Sequence, residues 1–400
     1  MIRIAIISFP GNNCEVESMR AIRDSGMEPL YFRWNDDVAR LRDIDGYFLP
    51  GGFSYEDRGR AGMVAGRDSI FDFLRQEAAI GKPIIGNCNG AQILVETGLI
   101  PNAKGLEMSL AKNVKDGTAT GFINEWVFIT PTCAPDRCCT ANWDGPMHVP
   151  IAHGEGRFTT KDKSLWKALL DNHQLAFSYC DELGNPAPDD SYNPNGSEMA
   201  AAGICNPEGN VVALMPHPER TPNGKAYFDS LKEWIELHKP QSVSKPTSQQ
   251  ANKLVSLPRR KPKHVELFID TIITNNEERT VEQAAKRIAP SLTLKQLKYL
   301  CVSTGTEESV LGSLLRFNPN KEIAYIRRGE TWTKWNADTK QEEHTASMLQ
   351  EGTTLLRRDD LETQQSGVCY VCSGVSQEDL CQSELLAIFG NPNSSTIELL

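Results

Sequence analysis

The sequence predicts an α/β protein on a doubly wound parallel sheet, followed by a smaller α+β domain. Two observations carry the first part of that reading. Strand-like apolar runs alternate with helical patterns from the first residues to Thr97, the signature of a parallel sheet covered on both faces. Several of the apolar runs end in glycine-containing turns, at Pro10-Gly11, Pro50-Gly51-Gly52 and Gly86. A third observation divides the chain. Residues 239–263 hold seven basic and no acidic residues among Pro, Ser and Gln, which reads as a basic flexible linker.

The elements follow in order. Residues 2–9 form a buried first strand, too short and too abruptly ended at Pro10-Gly11 to read as a signal peptide. A helical stretch at Cys14–Ser25 comes next, then strands at 29–32 and 47–50, a helix at 68–79, and Lys82–Gly86 running into a helix at 91–97. In such sheets ligands bind beyond the carboxyl ends of the strands. The expected domains are 1–238, the linker 239–263, an α+β domain at 264–390 and a polar tail at 391–400. Within the α+β domain, 264–273 alternates like a strand, and 281–289, 294–302 and 309–316 look helical. Thr304 and Glu307 suggest a capping box for the last of these. Residues 322–328 and 331–335 flank Gly329-Glu330 as a hairpin. A strand at 367–372 and a helix at 378–389 close the domain.

Composition bounds the function. The 400 residues carry 42 Lys+Arg against 52 Asp+Glu, a net charge of −10, which argues against a chain built mainly to grip nucleic acid. No run reaches the roughly 18 apolar residues of a membrane span. Eleven cysteines without a regular framework read as reduced thiols in a cytoplasmic protein. No P-loop is present, so any ATP is expected on another chain.

Chemistry concentrates at three places. Gly86-Asn87-Cys88-Asn89-Gly90 stands where a buried strand hands over to a helix, the cysteine counterpart of a nucleophile elbow. The helix start supplies N–H groups and a positive dipole end, which favour negative charge on the sulfur. His217-Pro218-Glu219 follows the strand-like Asn210–Leu214 and offers a base with a group to orient it. Gly51 and Gly52 let backbone approach a ligand closely, and their amides with that of Asn89 are candidate oxyanion donors.

These residues resemble a class I glutamine amidotransferase. Pro50–Tyr55, Ile151–Phe158 and Pro194–Ser197 leading to Ala202–Asn206 resemble the branch that serves as glutaminase subunits of phosphoribosylformylglycinamidine synthase, over residues 1–238. The resemblance implies a flavodoxin-like fold, Cys88 as nucleophile, and His217 and Glu219 completing a triad. It implies that Gly52 and Asn89 hold the oxyanion and that Gln92 helps fix glutamine. No cofactor is expected on this chain. A synthetase partner would bind ATP and magnesium, take the ammonia and act on formylglycinamide ribonucleotide, with a small bridging subunit in some complexes.

Some features depart from the pattern or fall outside it. Glu56–Gly62 replaces a run where a small residue commonly follows Ser-Tyr, and Asn87 stands where an apolar residue is more usual; both are expected to alter glutamine contacts. Cys133, Cys138 and Cys139, near His148 and His153, read as loop thiols and not as a metal site. Cys369 and Cys372 on a strand point to opposite faces, so a structural role is expected. Trp332, Trp335, Arg327 and Arg328 read as hairpin packing and not as a base-stacking surface. The other readings weighed are a binding protein that keeps this fold, a domain serving a different synthetase, and a cysteine hydrolase or chaperone of the same superfamily. The first usually loses its cysteine or histidine, and the last carries His directly after the nucleophile, where this chain has Asn89.

Overall fold

The computed structural model describes residues 1–186, 191–240, 252–261, 265–349, 352–360 and 365–400. Contacts divide the chain into two compact units, Met1–Ala251 and Asn252–Leu400. Among the described residues, the first is built on a nine-stranded sheet. Its strands are β1 (Arg3–Ser8), β2 (Glu28–Arg33), β3 (Gly46–Leu49), β4 (Ile84–Asn87), β5 (Ile123–Pro131), β6 (Met147–His153), β7 (Leu175–Cys180), β8 (Ala201–Cys205) and β9 (Val211–Leu214). They lie in the order β2-β1-β3-β4-β9-β8-β7-β5-β6. From β2 to β9 the pairing is parallel. The remaining four strands join antiparallel. The doubly wound parallel sheet is therefore present in flavodoxin-like order, with an antiparallel extension.

Among the described residues, five helices cover this sheet: α1 (Glu15–Asp24), α2 (Ile70–Ala79), α3 (Asn89–Glu96), α4 (Lys163–Asp171) and α5 (Lys225–Leu237). On β1, Ala5 and Ile7 pack with Phe71 and Leu74 of α2 and Leu94 of α3. Ile4 and Ile6 pack with Ile22 of α1 and Tyr227, Phe228 and Leu231 of α5. Both faces are covered, which is why β1 reads as an unbroken apolar run.

The second unit holds an antiparallel sheet of β10 (Val265–Thr271), β11 (Thr293–Val302), β12 (Glu322–Arg328), β13 (Thr331–Asn336), β14 (Gln341–His344), β15 (Thr353–Asp359), β16 (Ser366–Ser373) and β17 (Ser395–Leu399). Its order is β14-β13-β12-β10-β11-β16-β15-β17. The helices are α6 (Asn276–Lys286), α7 (Glu307–Leu311), α8 (Gln377–Leu380) and α9 (Ser383–Phe389).

Several expectations need correction here. Residues 294–302 are strand β11, paired with β10 and β16. Leu294, Leu297 and Leu300 imitate helical spacing because residues of both parities are buried in this strand. The helix expected at 309–316 is the shorter α7, and Leu314 and Leu315 are exposed beyond it. Its N-cap is Thr306 without a side-chain cap bond, and Glu307 accepts from Arg328 instead, at 2.9 Å. The helix expected at 378–389 is broken into α8 and α9. The polar tail holds β17, which forms the sheet edge against β15.

The linker also differs from expectation. Residues 241–251 and 262–263 lie outside the described residues, but 252–260 belong to the second unit. Val255 N–H donates to Cys381 O at 2.9 Å, and Arg260 N–H to Leu399 O at 2.7 Å. Arg259 bridges Leu399 in parallel. The Arg260 guanidinium reaches Glu398 at 3.3 Å and the buried Glu266 at 3.6 Å. Basic composition concealed this segment, in which the Arg260 charge is matched by Glu398 and the buried Glu266.

The hairpin of β12 and β13 forms as expected. Arg327 pairs with Glu266 and lies over the rings of Phe268 and Trp332. Arg328 pairs with Glu307 and Glu342. Cys369 sits within a core cluster, and burial pushes the Cys372 thiol up to about 12. Among the described residues, no helix is long and apolar enough to cross a membrane.

Candidate active site

Cys88 occupies the turn between β4 and α3 with φ 51° and ψ −106°. A side chain seldom adopts such a backbone, and holding it there costs of order 1–3 kcal/mol. Two glycines make the turn possible. A Cβ on Gly90 would stand 2.0 Å from the Leu49 carbonyl oxygen, and one on Gly86 would stand 2.5 Å from the Gly90 carbonyl carbon. Cys88 is only 3% exposed, with Sγ 3.6 Å from the Ala152 carbonyl oxygen. It therefore lies under the end of β6 and not on an open surface. Asn89 opens α3, so its amide belongs to the first turn, whose N–H groups have no acceptor within the helix.

β9 runs beside β4 with Leu214 opposite Asn87, so the segment that follows β9 arrives next to the elbow. His217 N–H donates to the Pro150 carbonyl at 3.0 Å. Its Nδ1 lies 2.6 Å from Glu219 Oε1, and both residues are buried. Nε2 is also buried and has no hydrogen-bond partner among the described residues. Gly51 leaves room for the ring: a Cβ there would fall 2.6 Å from His217 Cε1. Burial pulls the imidazole down, but the charges on Cys88 and Glu219 outweigh it and hold His217 well above the usual histidine value.

The sequence reading passed over Cys14 in this cluster and expected a different role for Asn87. Cys14 precedes α1, and its thiol is pushed up by burial against the opposing effect of His217. The donor atoms of Cys14, His217 and Glu219 lie within 4.8 Å of one another, a spacing that could hold a metal ion. Asn87 Nδ2 donates to Glu219 Oε2 at 2.8 Å, and Tyr227 O–H donates to Asn87 Oδ1 at 3.2 Å. Asn87 thus turns away from the glutamine side that its position had suggested.

The glycine turn is tied to the elbow through Asn89, whose Oδ1 accepts from Ser54 N–H at 3.1 Å and from Asn12 Nδ2 at 3.2 Å. Gly52 has φ 138°, and a Cβ there would strike Asn12 Cα at 2.5 Å. The Gln92 side chain accepts from Asn89 Nδ2 at 3.0 Å and donates to the Glu155 carbonyl at 2.5 Å. It thereby joins the elbow to the strand Glu155–Thr159 that follows β6. At the end of β6, His153 Nδ1 lies 3.1 Å from Asn113 Oδ1. Burial, then the charge of His217, push His153 down to about 3, so it stays neutral.

The divergent Glu56–Gly62 segment is placed by an unusual turn. Tyr55, Glu56 and Asp57 all have positive φ, and Asp57 Oδ1 ends 3.4 Å from Asn89 Nδ2. Arg60 leaves the site for the buried Glu96, with contacts of 2.8 and 2.6 Å. Burial, then the Glu155 charge, push Asp57 up to about 7. The native state therefore keeps a proton that the unfolded chain loses above about pH 4, and stability falls as pH rises from there towards 7. The difference is at most about 4 kcal/mol and is reduced by screening at the residue's exposed edge. Asp57→Asn is expected to flatten this slope, which urea midpoints at pH 5 and pH 8 would measure. Equal slopes in variant and wild type would refute the assignment.

Cys138, Cys139 and Cys205 pack in the core on the α1 and α5 face, with Cys133 against them. His148 stacks on Phe128 at 4.4 Å. A cavity of about 670 Å³ in the second unit is lined by Arg259, Arg327, Trp332 and His344 among others and contains none of the candidate site residues.

A cysteine on a strained strand-to-helix elbow, beside a buried His–Glu pair on the segment that follows the neighbouring strand, is an arrangement suited to thiol-dependent transfer or hydrolysis. Residues 1–241 match the CobB/CobQ-like glutamine amidotransferase domain, and the chain belongs to that family. It is 41% identical over 258 residues to phosphoribosylformylglycinamidine synthase subunit PurQ of Methanothrix thermoacetophila, covering 59% of this chain and 98% of that one. With the PurQ subunit of Pyrococcus furiosus it shares 34% identity over 243 residues, 59% of this chain and 99% of the relative. Among solved structures, PurLQS from Thermotoga maritima is similar at 32% identity and a TM-score of 0.47, covering 58% of this chain and 99% of the matched one.

Proposed function

We propose that this chain is the glutamine-hydrolysing component of a phosphoribosylformylglycinamidine synthase. The buried Cys88–His217–Glu219 constellation on the elbow carries the reading, and the likeness to PurQ subunits supports the choice of substrate system. Cys88 Sγ attacks the side-chain amide carbon of glutamine while His217 Nε2 takes the thiol proton. Glu219 holds the ring and balances the imidazolium charge. The Gly52 and Asn89 amides stabilise the tetrahedral oxyanion, each such donor contributing about 10²–10³ in rate. His217 returns the proton to the departing nitrogen, ammonia leaves and a glutamyl thioester remains. A water molecule, deprotonated by His217, then attacks the thioester carbon to give glutamate and free Cys88. Gln92 helps fix the substrate by holding Glu155, just beyond β6.

Ammonia passes to a synthetase partner that binds ATP and magnesium and converts formylglycinamide ribonucleotide to formylglycinamidine ribonucleotide. Residues 252–400 serve as a docking or bridging element in that assembly. The test mixes the chain with a synthetase, ATP, magnesium and formylglycinamide ribonucleotide. Glutamine-dependent product that requires both proteins is the expected result. Glutamine hydrolysis without coupled product would point to a different synthetase.

A further inference from the structure

From the buried contacts behind the elbow we infer that Asn87 is a positioning residue for catalysis, acting through Glu219 with Tyr227 setting its orientation. The inference rests on the glutamine-hydrolysing reading for its kinetic consequence, and its geometry stands independently. Residues two apart on a strand share a face. Asn87 therefore follows Ile85 onto the α5 side of β4, where Ile85 packs with Tyr227 and Phe228. A fully buried amide on that face must find partners or cost its desolvation. Asn87 is 0% exposed, and it has one partner on each end. Its Oδ1 accepts from Tyr227 at 3.2 Å, which turns Nδ2 toward Glu219 Oε2 at 2.8 Å.

Glu219 then has both oxygens fixed, Oε1 by His217 and Oε2 by Asn87. Each time His217 takes a proton, Glu219 must meet the new positive charge as an anion in one orientation. A carboxylate buried with one oxygen unsatisfied would pay for desolvation or rotate. The line Tyr227–Asn87–Glu219–His217 thus anchors the general base to α5. The signal in the sequence was the polar residue before Cys88, but its partners, Glu219 and Tyr227, lie 132 and 140 residues away.

The near-isosteric variant Asn87→Leu tests this. In the full chain, kcat for glutamine is expected to fall about tenfold, the effect of losing one hydrogen bond to a charged group, with KM within about twofold. In a Glu219→Gln background the same change is expected to cost less than about twofold, because the group it acts through is already altered. Equal losses in the two backgrounds would overturn the inference. So would an unchanged kcat, or a rise in KM alone. If Asn87→Leu does not fold, Tyr227→Phe is the substitute, with an expected loss of about threefold that disappears in the Glu219→Gln background. The rate of Cys88 alkylation by iodoacetamide at fixed pH, followed by peptide mass spectrometry, should fall with the same coupling pattern. That arm does not require glutamine to be the substrate. A wild-type chain inactive on glutamine would sink the functional reading, while alkylation would still decide the role of Asn87.

Discussion

Replacing Cys88 with alanine is expected to abolish ammonia release from glutamine while the assembled complex still makes product from added ammonium salt. In the proposed division of labour the synthetase performs its own chemistry once ammonia arrives, so only the glutamine-dependent route should fail. The fold should survive because alanine keeps the Cβ that the elbow already accommodates at φ 51° and removes a single sulfur. Cys88 is nonetheless buried under the Ala152 carbonyl, so a small loss of thermal stability should accompany the change. Ammonium-dependent and glutamine-dependent rates measured on one preparation separate the two routes. Glutamine-dependent product from the variant at a rate near wild type would show that another group is the nucleophile.

His217→Ala should lower kcat for glutamine by about 10²–10⁴, the range for a lost general base. Glu219→Gln should cost less, because glutamine can still accept from or donate to the neighbouring groups although it no longer balances an imidazolium. The two effects should not add, since Glu219 acts through the 2.6 Å contact with His217. Single-turnover thioester formation, followed with rapid quench, would measure both variants and the double variant. Glu219→Gln failing as badly as His217→Ala would mean that balancing the imidazolium charge, and not orienting the ring, dominates its role.

The parallel half of the sheet was legible because it is locally determined. Each strand is a short apolar run bounded by turn residues, and Gly86 and Gly90 announce an elbow that no Cβ could share. The second unit was harder to read for an opposite reason. In β11 both faces are covered, so the period of two dissolves and Leu294, Leu297 and Leu300 suggest a helix. β17 and residues 252–260 look polar because their charges are matched to partners far along the chain, as Arg260 and Arg358 are to Glu398. At the site, the nucleophile and the His–Glu pair carry local motifs. Asn87 and Asp57 show only as departures from the pattern and Cys14 not at all, because their roles exist only once β4, α1 and the turn at 55–57 have been brought beside His217 and Asn89.

The second unit is strapped by its own lead-in: Asn252 and Lys253 bond to Ser383, and Arg259 and Arg260 run along Leu399. The segment that reads as a tether is thus a structural part of the module it leads into. Any fusion or truncation meant to keep this module whole must retain the strap at 252–260, because a cut at Arg260 would strip Leu399 and Ser383 of their backbone partners.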